Sequence, residues 1–174
     1  MVALIYKRLL QLGRIATALT FLFGIPYGIF KYWEAVQTAR IEQTLKFFNL
    51  YNSSPITTYR EAIVTALINH QSEIAEAAVD ETKFNDLVVN FVKADQLGKP
   101  LLLIMDFFDG VAACVVNELC DPEATRILFQ RRAEEMYVIF YPYIVANRNK
   151  TASWDFGLGL ETVAKTGRKP PPKS

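Results

Sequence analysis

Three groups of residues have the types and spacing that could do chemistry. Asp106 and Asp109 lie one helical turn apart in an apolar stretch, with Gly110, Ala113 and Asn117 on much the same side. Paired carboxylates of this kind perform acid–base work or hold a cation. More commonly such a strip is the wet face of an amphipathic helix, or pairs with a cation such as Arg131, Arg132 or Arg148. His70-x-x-Glu73, with Glu76 and Asp80 further along, is the best metal-like cluster. A helical di-metal site needs Glu-x-x-His from two helices plus further carboxylates. This chain has one histidine, in the reversed order, and it falls on the apolar stripe of its own helix, so a hydrogen-bonded core histidine is the better reading. Cys114 and Cys120 are six residues apart. On one continuous helix they would point about 240° apart and could not bridge. Free thiols then favour a reducing compartment and a domain on the cytoplasmic side.

No phosphate-binding loop, dinucleotide fingerprint, nucleophile elbow or His-Glu-x-x-His motif is present. The sequence therefore predicts no enzyme: no catalytic residue, metal or cofactor is expected, and Asp106, Asp109 and His70 stand as candidate polar positions only. A net charge of +1 on 174 residues argues against a nucleic-acid partner. Charge is nonetheless segregated, with eleven acids against Lys83, Lys93 and Lys99 over residues 73–123, and nine bases against four acids from residue 124 onward. Such segregation fits either two complementary surfaces or simply solvated helix faces.

The elements that must position these residues are helical almost throughout. Leu9 to Phe30 is an apolar run whose only charge is Arg14, followed by Lys31, Tyr32 and Trp33. At about 1.5 Å per residue it is long enough for a hydrocarbon core of ~30 Å, and the basic and aromatic flank suits a bilayer interface. This predicts a single transmembrane anchor. Ala16, Thr20, Gly24 and Gly28 recur every four residues along it, a small-residue face of the kind through which membrane helices pack, so self-association through the anchor is expected.

Beyond the anchor, a helix is expected to run on from Glu34 to Tyr51 and to end at Asn52-Ser53-Ser54-Pro55. Thr58-x-x-Glu61 has the form of a capping box, followed by one stripe of Ile63, Leu67, His70, Ile74 and Ala77. Asp80 caps a helix that Gly98 stops. The next runs to about Leu119 with Leu101, Ile104, Phe108, Val111, Ala112, Val115 and Leu119 inward. Asp121-Pro122-Glu123 starts a further helix, lined by Phe129, Ala133, Met136, Phe140 and Tyr143 and reaching about Asn147. A short last helix holds Trp154, Phe156 and Leu160. The expected organisation is a tail and anchor over 1–33, a bundle of four to five helices over 34–165, and a disordered basic, proline-rich tail over 166–174. The fold class is all-α.

Ala39-Arg40 with Thr44, Met105-Asp106-Phe107-Phe108 followed by Ala112, Cys120-Asp121-Pro122-Glu123, and Tyr141-Pro142-Tyr143-Ile144 with Arg148 together resemble a bacterial family of unassigned function, over about residues 15–150. The resemblance implies a single N-terminal anchor in the inner membrane followed by an all-helical domain, and it carries no catalytic residues. The expected function is a membrane-tethered interaction or scaffold module, with the lipid bilayer, a second copy and an unidentified protein as partners. The alternative is a small oligomeric effector that perturbs or permeates the bilayer.

Overall fold

The computed structural model describes residues 20–151 and 154–166, and these are all-helical, with no strand among them. The chain divides into two compact units, Met1–Ala39 and Arg40–Ser174.

In the first unit a π-helical turn, Thr20–Gly24, leads into helix α1, Ile25–Tyr51. Pro26 stands where the π-turn passes into α1, and its missing N–H leaves a carbonyl of the preceding turn without its helical donor. Lys31 pairs with Glu34 at 2.6 Å, and the Thr38 hydroxyl donates to the Glu34 carbonyl. Among the described residues no helix is long and apolar enough to cross a membrane. The first half of the expected anchor, Leu9 to Leu19 and with it Ala16, lies outside the described residues, as does most of the 166–174 tail.

The second unit opens with the remainder of α1 and continues with α2 (Ile56–Asn69), α3 (Gln71–Ala77), α4 (Glu81–Ala94), α5 (Gly98–Val116), α6 (Pro122–Thr151) and α7 (Leu158–Ala164). Helix α7 packs along both α5 and α6, while α2 lies on α5 and α4 lies on α6. The core they enclose is aromatic. Tyr51, Phe107, Phe108 and Phe129 form one cluster with ring centroids 5.3–6.4 Å apart, in the tilted and edge-to-face arrangements that ring quadrupoles prefer. Leu101, Ile104, Phe140, Ile144 and Leu160 are fully buried around it.

Local chemistry accounts for the element ends, with several departures from the sequence expectations. Asp80 caps α4 as its residue type predicts, accepting from the Thr82 and Lys83 amides, and the Asp121 carboxylate accepts the Ala124 amide at the start of α6. The Thr58–Glu61 box does not form. Helix α2 begins earlier, at Ile56, after a cis Ser54–Pro55 bond, and has no side-chain cap. The stripe from Ile63 to Ala77 is two helices rather than one, because the chain turns at His70. Gly98 opens α5 instead of closing α4; the left-handed position that ends α4 falls to Gln96 at φ 55°. Leu119 is exposed rather than inward because α5 already ends at Val116, and Trp154 and Phe156 precede the last helix, which begins at Leu158, rather than lying in it.

The early end of α5 also overturns the expectation of free thiols. Glu118 takes φ 57°, and the Leu119 and Cys120 amides both fold back to the Cys114 carbonyl, at 2.9 and 3.1 Å. This helix-terminating turn brings the two cysteine Cα atoms to 5.2 Å, and Cys114 and Cys120 are joined in a disulfide. The argument from free thiols to a reducing compartment falls with it.

Candidate functional site

Thr20, Gly24 and Gly28 are exposed, each four residues from the next. A Cβ on Gly24 would come within 3.7 Å of the Thr20 methyl, and one on Gly28 would meet nothing within 4 Å. The large side chains between and after them, among them Phe21, Leu22, Phe23, Tyr27, Phe30 and Trp33, each leave more than half of their surface open.

Asp106 and Asp109 both lie on the solvent side of α5, but they do not act as a pair. The Asp109 carboxylate accepts the Gly159 amide at 2.7 Å and so ties the start of α7 to α5. Loss of water around that carboxyl pushes its pKa up, the Gly159 N–H pulls it down, and Asp106 and Asp155 push it up again. Neither aspartate takes the arginine partners that the spacing suggested. Arg131 binds Glu135, while Arg148 donates to the Phe156 carbonyl and to Glu161. That second cluster fastens α6 to α7: Lys165 also reaches Glu161, and the adjoining Tyr137 hydroxyl is pushed up to about 12, by burial first and then by Glu161. Arg126, Arg131 and Lys165 pair with acids three or four residues away, as solvated helix faces do, whereas Arg148–Glu161 and Arg40–Glu118 join separate elements.

His70 marks the joint between α2 and α3. Its Nδ1 meets Glu73 at 3.0 Å, its Nε2 meets Asp95 at 3.1 Å, and its ring stacks on Phe91 with centroids 5.2 Å apart. Glu76 and Asp80 are not its partners. With a carboxylate on each nitrogen the imidazolium satisfies both bonds at once, and its pKa is raised, chiefly by the Glu73 bond, against some loss of hydration and with help from Asp95. The two carboxylates sit at different ring nitrogens and so do not converge on one point where an ion could bind. Among the described residues no group of three or more His, Cys, Asp or Glu is placed to hold a metal.

The arrangement that sequence reasoning missed lies between the end of α1, α2 and α6. A half-open cavity of about 260 Å³ is lined by Tyr51, Arg60 and Arg132 together with Ile63, Val64, Leu67, Met136 and Ile139, and by Glu135. The Arg60 guanidinium carbon stands 4.1 Å from the centre of the buried Tyr51 ring, and that of Arg132 stands 5.2 Å from it and 5.5 Å from the Phe48 ring. Arg60 donates to neutral oxygens, the Tyr51 carbonyl at 3.3 Å and Asn52 Oδ1 at 3.5 Å. Arg132 Nη1 is buried with no acceptor among the described residues. Burial pushes the Tyr51 hydroxyl up, although both arginines pull it down, so the phenol stays a donor. A signal for this site does exist in the sequence. Arg60 precedes Ile63 and Leu67 by three and seven residues, and Arg132 follows Phe129 by three and precedes Met136 by four, which puts both guanidiniums on or beside apolar stripes.

No protein-family profile, curated protein or solved structure matches the chain.

Proposed function

We propose that the protein is a membrane-tethered helical interaction module, whose N-terminal segment is held in the bilayer and self-associates through the Ala16, Thr20, Gly24 and Gly28 face while the second unit docks a protein partner. One observation supports this above the others. The run from Phe21 to Trp33 exposes nearly every large apolar side chain it has and buries none, whereas the second unit encloses a core of fully buried ones and leaves others exposed singly. A soluble surface rarely keeps so long a contiguous apolar stretch uncovered, and lipid is the solvent that stabilises one. The proposed span is Leu9 to Phe30, with Lys31, Tyr32 and Trp33 at the interface. The resemblance to a bacterial single-anchor family belongs to the same reading.

Fractionation of cells making the intact chain tests the tether: the protein stays in the pellet after an alkaline carbonate wash, and its release into the supernatant refutes the proposal. Self-association is tested separately, by cross-linking in detergent. Gly24→Leu and Gly28→Leu each lower the dimer fraction, and equal dimer in wild type and both variants rules out the small-residue face.

A further inference from the structure

The cavity at Tyr51 has a chemical character that the proposed tether does not use. Its two cations lack a carboxylate partner among the described residues. The one acid lining it, Glu135, is taken by Arg131 Nε at 2.9 Å. Arg132 lines the cavity too, and although its buried Nη1 has no acceptor, the guanidinium holds its charge against the Phe48 and Tyr51 rings without a counter-ion. A guanidinium left on aromatic faces alone retains its affinity for a planar, two-oxygen anion. The opposite wall is hydrocarbon: Ile63, Val64 and Leu67 from α2 face the cavity together with Met136 and Ile139 from α6. A bare inorganic anion would leave that wall wet, and a hydrocarbon would leave the charges unanswered.

We propose that this cavity is a binding site for a small anionic amphiphile, specifically a medium-chain carboxylate. The carboxylate sits at Arg132 and Arg60 beside the Tyr51 hydroxyl, and the alkyl chain lies along Ile63, Leu67 and Met136. The volume of about 260 Å³ falls just below the ~300 Å³ at which pockets for drug-sized ligands begin, which suits a molecule of about a dozen heavy atoms. The site lies wholly within the second unit, so it stands or falls independently of the membrane tether.

The test is photolabelling of the intact protein in detergent with decanoate carrying a diazirine near its tail, followed by peptide mapping. Label is expected on the peptides containing Ile63–Leu67 and Met136–Ile139, competed by excess decanoate but not by decanol or acetate. Arg132→Met weakens competition about tenfold or more, the scale of a lost charge-assisted hydrogen bond, and Arg60→Gln weakens it by less. Thermal melts of both variants identify any that fail to fold, and the second variant serves if the first does. Label confined to the Phe21–Trp33 run, competition by decanol equal to that by decanoate, or unchanged competition in both folded variants overturns the proposal. Competition by acetate at the same concentration as decanoate overturns the role of the apolar wall.

Discussion

The run from Phe21 to Trp33 and helix α5 are comparably rich in large apolar residues, yet the first is exposed and the second buried. The difference lies in pattern. In α5 the buried Leu101, Ile104, Met105, Phe108, Val111 and Ala112 follow the three-and-four spacing of a helix stripe, which Phe107 and Cys114 widen on one side, and Asp106 and Asp109 fall on the opposite face toward water. In the first unit Phe21, Leu22 and Phe23 are consecutive, and Tyr27, Ile29 and Phe30 continue around the helix with no polar face opposite. A helix that is apolar all round needs an apolar medium all round. Periodicity, more than composition, separates a chain segment that builds a core from one that looks for a different solvent.

The sharpest test of that contrast is truncation on each side of it. Phe129→Ala removes a fully buried ring that meets Phe48, Tyr51, Phe107 and Phe108, and is expected to cost about 4 kcal/mol in chemical denaturation, whereas Phe23→Ala changes the same measurement by under about 0.5 kcal/mol. An equal loss at both positions would erase the distinction. Glycines repeat the comparison with smaller effects. A Cβ on Gly159 would lie 2.4 Å from the Asp109 Cα, a backbone atom that cannot swing away, so Gly159→Ala is expected to destabilise by roughly 3 kcal/mol. Gly28→Ala, with open space around it, is expected to leave unfolding of the second unit unchanged and to raise helix content slightly by circular dichroism.

Thr44 probes the connection between α1 and α6. Its buried hydroxyl donates to the Arg40 carbonyl and accepts the Asp121 amide, both at 3.0 Å. Thr44→Val keeps the shape and removes the bonds, and should lower stability by about 1–2 kcal/mol in urea titration. The smallest effect is at His70. Its pKa in the folded protein lies above the ordinary value of 6.5, so the stabilisation it provides is complete below about pH 6.5 and is lost as pH rises through the raised pKa. Wild type is therefore expected to lose stability relative to His70→Gln over the pH interval that starts at about 6.5 and runs through the raised pKa. A gap between the two that does not narrow over that interval would show that the carboxylates at Glu73 and Asp95 do not hold the imidazolium.

Where local chemistry decides, the sequence was a sufficient guide. The Asp80 and Asp121 caps, the breaker after Tyr51 and the inward set of α5 up to Ala112 all follow from residue type and spacing. It misled where tertiary contacts choose among local options. Nothing near Glu118 announces a left-handed residue, so periodicity alone carries α5 past Val116 and leaves the two cysteines out of each other's reach. Likewise, the stripe through His70 reads as one helix because its spacing is unbroken, but the bonds from His70 to Glu73 and to the distant Asp95 hold a joint there. The arginine cavity was hidden for a related reason. Tyr51, Arg60 and Arg132 come from three helices, and single-helix periodicity does not say which stripes will meet.

Helix α7 spans only Leu158–Ala164, yet Leu160, Val163 and Ala164 all lie in the core, and the helix wedges between α5 and α6. Its entry is fixed by Gly157 in the left-handed region at φ 71° and by the Asp109–Gly159 bond. This short helix is thus the keystone of an arch whose other stones stand earlier in the chain. Until its seven residues seat, the two longer helices keep an open seam, so whatever unseats them loosens α5 and α6 together.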